Sequence, residues 1–228
     1  MKYMFALAVV GSLTCSTIAH SQQVFKVSTT TDAELYTSAV EDLRAAYQLL
    51  DIELEITPLP AKRALLEAEN GNTYDAELGR IKQAETLLTN FVRIPVILRN
   101  IGLVAVTVRD LKNLSDHLGL VNLRDYRVAS VRGILSSDAL LKDHNNILVD
   151  TTRQGLYMLL YRRIDVFVAL DFMVQDLPKE LKQHHYIIHE PPLSSAKIYH
   201  YLHKKHNDLA PALTRAMSKV LGKPIEGL

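Results

Sequence analysis

The chain carries one strand–helix–strand plan twice, and this repeat constrains the fold most. The first copy is Ile56–Leu78 (ITPLPAKRALLEAENGNTYDAEL), and the second, about ninety residues later, is Val149–Val168 (VDTTRQGLYMLLYRRIDVFV). Each copy has a short apolar strand, a threonine-containing bend, a helix, a turn and an aspartate followed by apolar residues. Two such units predict two similar α/β lobes, and the alternative is two ordinary strand–helix–strand units within one sheet.

The first twenty-one residues have the pattern of a secretory signal peptide. Lys2 supplies the positive end, Met4–Val10 the apolar segment, and Ala19–Ser21 the small residues of a cleavage site. The apolar run is shorter than the roughly 20 residues that cross a bilayer. We therefore expect cleavage near Ser21 and a soluble mature chain in the periplasm.

Composition excludes several classes of function. Cys15 is the only cysteine, so the mature chain has no thiol for catalysis or metal binding. Without Lys2 the chain has 25 basic and 25 acidic residues, and this balance gives no reason to expect nucleic acid or an anionic membrane as a partner. The sequence has no GxSxG, no HExxH and no glycine-rich phosphate loop. We expect no enzymatic activity and no cofactor.

Histidines concentrate toward the C-terminus, where His200, His203 and His206 follow one another at intervals of three. Such spacing is compatible with metal ligands on one helix face. Because no HExxH pattern and no cysteine accompanies them, a surface with several histidines is the preferred interpretation, and no metal site is predicted.

The order of predicted elements suggests how the chain divides. The first lobe is expected to comprise residues 22–105 and 195–228, and the second lobe residues 106–194. Phe91–Ile97 and Ile101–Val108 are rich in β-branched and aliphatic residues and are predicted to be the strands that cross between the lobes.

The end of the chain is expected to return to the first lobe. Gln183–Pro192 is predicted to be a surface segment, and Ile198–Leu202 a strand or the start of a helix. A final amphipathic helix, with an apolar stripe from Leu209 to Val220, is expected to pack on the first lobe. The chain would then cross between the lobes twice.

Arginine side chains are the first candidates for ligand binding. Arg80 ends the predicted strand Tyr74–Ile81, and a guanidinium can hold a carboxylate with two parallel hydrogen bonds. Arg63 lies one turn into the helix after Pro60. A salt bridge is the alternative role for Arg80, and a solvated helix charge is the alternative for Arg63.

The turn Arg132-Gly133 is a second candidate region. It follows the predicted strand Arg127–Val131 and precedes a helix starting near Ser136, an arrangement that can aim backbone N–H groups at an anion. An ordinary turn has the same sequence pattern.

Hydroxyl and aromatic residues complete the candidates from the residues alone. Thr152, like Thr29 and Thr30, lies in the bend after a predicted strand, where a hydroxyl binds ligand or caps a helix. Tyr36 is a candidate wall of the cleft, with a core position as the alternative. Asp75 and Asp165 are interpreted as structural.

Five segments in order resemble a known family over essentially the whole mature chain. They are RALLEAENGNTYDAELGRI, FVRIPVIL, LRDYRVASVRG, LYRRIDVFVA and KIYHYLHKKHNDLAPAL. Together they resemble the type 2 periplasmic solute-binding proteins, in the family 3 branch and its short, divergent gamma-proteobacterial members. The resemblance implies a two-lobed α/β fold, type 2 periplasmic-binding-protein-like, with two crossing strands between the lobes and a small polar molecule in the cleft.

The family's ligand contacts match this sequence only in part. In its amino-acid binders an arginine that holds the ligand carboxylate follows the first-lobe strand, at a position that falls near Thr86 here. Arg80 is the nearest replacement. Asp171 corresponds to the aspartate that accepts the ligand ammonium, but is displaced by one residue, and Gly133 lacks the threonine that usually follows it.

The resemblance implies a monomeric protein that binds an amino acid or another small carboxylate and delivers it to an ABC permease. The alternative is a stand-alone sensory or interaction protein that has lost amino-acid binding and signals to a membrane receptor.

Overall fold

The computed structural model describes residues 23–30, 37–71, 73–111, 114, 122–175, 177 and 179–227. The predicted signal peptide and Tyr36 lie outside the described residues.

Eight strands form one mixed sheet in the order β2-β1-β3-β8-β4-β7-β5-β6. The strands are β1 (Gln23–Thr30), β2 (Ile52–Leu59), β3 (Ala76–Ile81), β4 (Phe91–Thr107), β5 (Val128–Val131), β6 (Ile147–Val149), β7 (Val166–Leu170) and β8 (Ile187–His203). The helices are α1 (Thr37–Gln48), α2 (Ala61–Asn70), α3 (Leu135–Leu140), α4 (Thr152–Leu160), α5 (Asp171–Gln175), α6 (Lys179–Lys182) and α7 (Ala210–Leu221), and 3₁₀ turns cover Lys82–Thr86 and Lys204–Leu209.

The sheet is built from two equivalent halves. We call β1–β3 with α1 and α2 the first lobe, and β5–β7 with α3 and α4 the second lobe. Each has three parallel strands, in the orders β2-β1-β3 and β6-β5-β7, and antiparallel β8 and β4 lie between them. The repeated units are β2-α2-β3 and β6-α4-β7. The predicted repeat is therefore confirmed, and the two units also share one continuous sheet.

Matching aspartates precede the innermost parallel strand of each lobe. Asp75 donates its backbone N–H to the carbonyl of Lys26 (2.7 Å), and its carboxylate accepts the N–H of Lys26 (2.8 Å). Asp165 makes the same two contacts with Arg127, at 2.8 and 3.1 Å. The structural interpretation of both residues is confirmed, since each carboxylate closes the start of its strand against the neighbouring one.

The strands β4 and β8 differ from the prediction. Each is a single strand of 17 residues, and the predicted surface segment Gln183–Pro192 belongs largely to β8. The prolines are tolerated because the pairing register shifts beside them, between Arg93 and Ile97 in β4 and opposite Pro191 and Pro192 in β8. At such irregularities a missing N–H removes no ladder hydrogen bond.

Helix α7 packs on α1 and β4, as predicted for the end of the chain. Its buried face includes Leu213 and Met217, and α1 contributes Leu43 and Tyr47 to the same core. Within the described ranges, none of the helices has both the length and the apolar character needed to cross a bilayer.

Candidate functional site

A cavity of about 40 Å³ lies between the two lobes, at the carboxyl ends of their parallel strands. Ligands of open α/β sheets commonly bind at this edge. The first lobe contributes Thr29, Thr30, Leu78, Gly79, Arg80 and Ile81, the second lobe and α5 contribute Ile134, Leu135, Ser136, Leu170 and Met173, and β4 and β8 contribute Ile101 and Ile198.

Arg80 is the charged residue among these lining residues. It is 6% exposed, and its Nε donates to Glu77 Oε1 at 2.7 Å, while Nη2 lies 3.4 Å from the carbonyl oxygen of Ala61. Glu77 is 1% exposed, and its other carboxylate oxygen accepts a hydrogen bond from the hydroxyl of Ser28. Because the side chains of Ser28 and Glu77 are themselves fixed, the guanidinium is held at the cavity rather than free to rotate.

Three hydroxyl-bearing residues line the cavity with the guanidinium. Thr29 and Thr30 end β1, and Ser136 lies in the first turn of α3 on the other side of the cavity. Apart from Arg80, Gly79 and these hydroxyl residues, the lining is aliphatic or thioether. The cavity therefore combines one fixed cation, a few hydroxyls and a large apolar surface.

Gly133 brings the two lobes into backbone contact. Its φ is +84°, a left-handed conformation that glycine adopts without strain, and it is buried. A methyl group added there would lie 2.5 Å from the backbone nitrogen of Lys62 and 2.7 Å from its Cα. The first turn of α2 and the turn after β5 are thus packed as closely as a residue without a side chain allows.

A carboxylate and a lysine accompany this contact. Asp138 in α3 lies close to Gly133, and the positive charges of Arg132 and Lys62 favour its charged form. Burial is the larger effect and raises the pKa of Asp138 above its ordinary value. Asp138 and Lys62 thus place opposite charges on the two sides of the contact between the lobes.

The two other predicted arginines lie outside the cavity lining. Arg63 is exposed on α2. The side chain of Arg132 is 43% exposed, and its Nε lies 3.4 Å from Asp150 Oδ1. Both occupy the positions described by their alternative interpretations, a solvated helix charge and a turn residue.

Thr152 and Asp171 hold structural groups beside the cavity. Thr152 is 2% exposed and its hydroxyl donates to the sulfur of Met173 at 3.5 Å, and Met173, unlike Thr152, is among the residues that line the cavity. Asp171 accepts the N–H of Gly102 in β4 at 2.8 Å with Oδ2, and the N–H of Phe172 at 2.8 Å with Oδ1. Both carboxylate oxygens therefore bind backbone.

The C-terminal histidines do not form a surface cluster. His200 is 0% exposed, its Nδ1 donates to the carbonyl of Leu78 (3.2 Å), and its Nε2 accepts from the hydroxyl of Tyr47 (2.8 Å). His203 is 8% exposed and bonds to the carbonyl of Gly71. The predicted surface location is wrong for both. In the part of the chain that the structure describes, no cluster of three histidine or acidic side chains could hold a metal ion.

Sequence reasoning missed the residues that hold Arg80 in place. Ser28 and Glu77 were not singled out, because a buried polar residue in a strand looks the same as one on a solvated face. Met173, which lines the cavity, follows Asp171 by two residues and carries no signal of its own.

No family model matches the sequence. An uncharacterized protein of Shewanella oneidensis is 29% identical over 199 residues, which cover 82% of this chain and 69% of that protein.

Solved structures with the same chain path have low sequence identity. One is a histidine kinase sensor domain with similarity to periplasmic binding proteins, at 13% identity, with a TM-score of 0.71 over 88% of this chain and 92% of that one. Another is an ancestral arginine-binding protein bound to arginine, at 13% identity, with a TM-score of 0.73 over 89% of this chain and 94% of that one. At this identity the likeness defines the fold alone: the chain has a two-lobed α/β fold of the periplasmic-binding-protein type.

Proposed function

We propose that this protein reversibly binds a small anionic solute in the cavity between its lobes. The observation that carries the proposal is the position of Arg80. Its side chain is shielded from bulk solvent, is held by Glu77 and Ser28, and lines the cavity. A guanidinium has five N–H donors, and the contacts to Glu77 and Ala61 account for two of them. A carboxylate in the cavity would be held by the others.

Glu77 offsets the charge of Arg80, and this pairing suits a binding site that must open and close. A buried guanidinium without a carboxylate partner would be strongly unfavourable whenever the solute was absent. With Glu77 in place, Arg80 stays in position in the empty protein, and the solute gains a preformed donor.

Lobe closure completes the site. Thr29, Thr30 and Arg80 come from the first lobe and Ser136 from the second, so a solute that contacts all four favours the arrangement in which the lobes meet at Gly133 and Lys62. The lobes are joined through β4 and β8, which are the elements that must flex for solute entry.

The protein's location and partner are proposed from the sequence. A chain cleaved near Ser21 would act in the periplasm as a monomer, and an ABC permease would receive its solute.

A sensory protein that signals to a membrane receptor is the second candidate, favoured by two observations. The cavity of about 40 Å³ has room for roughly three water molecules, less than most amino acids need, and a sensor domain is among the proteins with this fold.

A thermal-shift screen of the protein purified from the periplasm after full-length expression tests the proposal. The screen covers amino acids, small carboxylates, polyamines and sugars. A ligand at 100 times its dissociation constant adds about 2.7 kcal/mol, which at this length raises Tm by roughly 5–10 °C.

The matched variant replaces Arg80 by Met together with Glu77 by Gln, so that no buried charge is left alone. A wild-type shift that this double variant loses supports the proposal. A shift that the double variant keeps contradicts the role of Arg80. No shift with any solute contradicts solute binding and favours the sensory candidate, for which a histidine kinase or cyclase gene beside this one would be the supporting observation.

A further inference from the structure

We infer that the solute is a short aliphatic monocarboxylate without an ammonium group, which makes α-amino acids poor ligands. The inference rests on the proposed function and specifies its ligand class. Three observations carry it: the charges that line the cavity, the contacts of Asp171, and the apolar walls.

The described residues that line the cavity carry positive charge and no negative charge. Among the described lining residues, Arg80 is a cation and none is a carboxylate. Glu77 is not among the residues that line the cavity, and its two carboxylate oxygens accept hydrogen bonds from Arg80 and from Ser28. An amino acid would bring an ammonium group as well as a carboxylate, and only its carboxylate would meet an opposite charge.

Asp171 is the residue that the resemblance assigns to the ammonium, but it is not among the residues that line the cavity. Its Oδ2 accepts the N–H of Gly102 in β4, and its Oδ1 accepts the N–H of Phe172 at the start of α5, each at 2.8 Å. A β-carbon on Gly102 would come within 2.9 Å of Oδ2, so the carboxylate is packed directly against the crossing strand. Asp171 serves to join α5 to β4.

The remaining walls suit an aliphatic tail. Leu78, Ile101 and Ile198 line the cavity from one side, and Ile134, Leu170 and Met173 from the other. The hydroxyls of Thr29, Thr30 and Ser136 can donate to a carboxylate, but they are weak acceptors for an ammonium in comparison with a carboxylate. An unpaired ammonium buried here would lose its hydration without compensation.

Matched pairs of ligands test the inference by titration calorimetry on the mature protein purified from the periplasm. Propionate and alanine differ by one ammonium group, as do butyrate and 2-aminobutyrate. We expect each carboxylate to bind about 100-fold more tightly than its amino derivative, the factor expected for one unpaired charged donor in a buried site. Octanoate is the longest of these acids and is expected to bind more weakly than butyrate, because the cavity is only about 40 Å³.

The variant Asp171→Asn separates the two roles of Asp171. Asparagine keeps one oxygen that can accept the N–H of Gly102, loses the acceptor for the N–H of Phe172, and has no charge for an ammonium. If the inference is right, Asp171→Asn leaves the affinity for propionate within about twofold of the wild type, a change too small to reflect a lost hydrogen bond.

The outcomes are distinguishable. Alanine that binds as tightly as propionate, and loses affinity in Asp171→Asn, overturns the inference and leaves the proposed function standing. Binding of a sugar or polyamine alone overturns the inference and also the anionic ligand of the proposed function. A folded protein that binds none of these solutes overturns both.

Discussion

Arg80 and Glu77 form a buried ion pair of 2.7 Å although they lie three residues apart on one strand. In a regular strand, odd spacing puts two side chains on opposite faces. The pairing of β3 with β8 explains the exception. Glu77 lies opposite Tyr201 and Arg80 opposite Tyr199, so β3 has one extra residue between these two pairs. This bulge turns both side chains to the same face and holds the guanidinium at the cavity.

The ion pair predicts a strong asymmetry between single and double variants. Glu77 is 1% exposed, so Arg80→Met leaves a buried carboxylate without its partner and is expected to lower the free energy of unfolding by about 3–5 kcal/mol. The double variant with Glu77→Gln is expected to recover more than half of that loss. Urea denaturation of the four proteins in the double-mutant cycle measures both quantities. A double variant as unstable as Arg80→Met would show that the pair is not coupled.

The contact between Gly133 and Lys62 predicts that Gly133→Ala disturbs lobe closure. The added methyl would overlap the backbone of Lys62, so the first turn of α2 must move away from the turn after β5. We expect faster amide hydrogen exchange in the first turn of α2 and weaker binding of any ligand found in the screen.

Gly222→Ala is the matched control, because Gly222 also has a positive φ (+61°) but no atom lies within 4 Å of an added methyl. Both substitutions carry the cost of a left-handed alanine, about 1–2 kcal/mol. Only Gly133→Ala should change exchange in α2. Equal exchange in the two variants would mean that the lobes do not meet at this point in solution.

His200 predicts a loss of stability in mild acid. Its burial between Tyr47 and Leu78 lowers its pKa from the ordinary value of 6.5 to about 4. Between these two pH values the unfolded chain binds a proton at this position and the folded chain does not, so stability falls as pH falls. The contribution of His200 amounts to about 3 kcal/mol across this window.

Urea denaturation between pH 7 and pH 4 checks this prediction. His200→Gln is expected to flatten the pH dependence, and the exposed His185→Gln is the control that should leave it unchanged. Burial also lowers the pKa of His189 and His203, so part of the dependence remains in the variant. An identical slope in wild type and His200→Gln would contradict the prediction.

Asp75 predicts a second, more acidic transition. Burial alone would raise its pKa, but hydrogen bonds from His206, Lys205 and the backbone of Lys26 outweigh that effect and lower it. The stability that Asp75 contributes is therefore complete above the pKa of an unfolded aspartate, about 3.9, and is lost as pH falls through the lower folded value.

Asp75→Asn is expected to cost about 2 kcal/mol at pH 7, because it weakens charge-assisted hydrogen bonds, and progressively less below pH 4. Asp208→Asn, at an exposed position, should change stability by less than about 0.5 kcal/mol. Thermal unfolding at pH 7 and pH 3 gives both differences. A cost that is the same at both pH values would show that the charge of Asp75 is not responsible.

Elements with local signals could be predicted from the sequence. Helix α2 ends at Asn70 and is capped by Gly71, whose φ is +74°, as the Asn70-Gly71 pair indicates, and α7 follows from its apolar stripe. The repeat placed β2-α2-β3 and β6-α4-β7 correctly because each unit is continuous in the chain. Such features depend on neighbours within a few residues.

Features set by distant pairing could not be predicted. The bulge between Glu77 and Arg80 depends on the register of β3 against β8, whose residues are more than a hundred positions away. Asp171 binds Gly102, 69 residues earlier, whereas the family resemblance implied a ligand contact instead. The prolines of β8 favoured the prediction of a surface segment, because the sequence does not show where the pairing register shifts.

The placement of β8 has a consequence for biosynthesis. The chain leaves the ribosome from its N-terminus, and β8 is the last of the eight described strands to emerge, yet it lies in the interior of the sheet between β3 and β4. The strands β5, β6 and β7 are neighbours in the chain and can associate early, whereas β3 has an open edge until Ile187–His203 arrives. An unfinished chain therefore exposes a strand edge of the kind that chaperones protect, and a truncation before β8 should be recovered as aggregate rather than as a smaller folded protein.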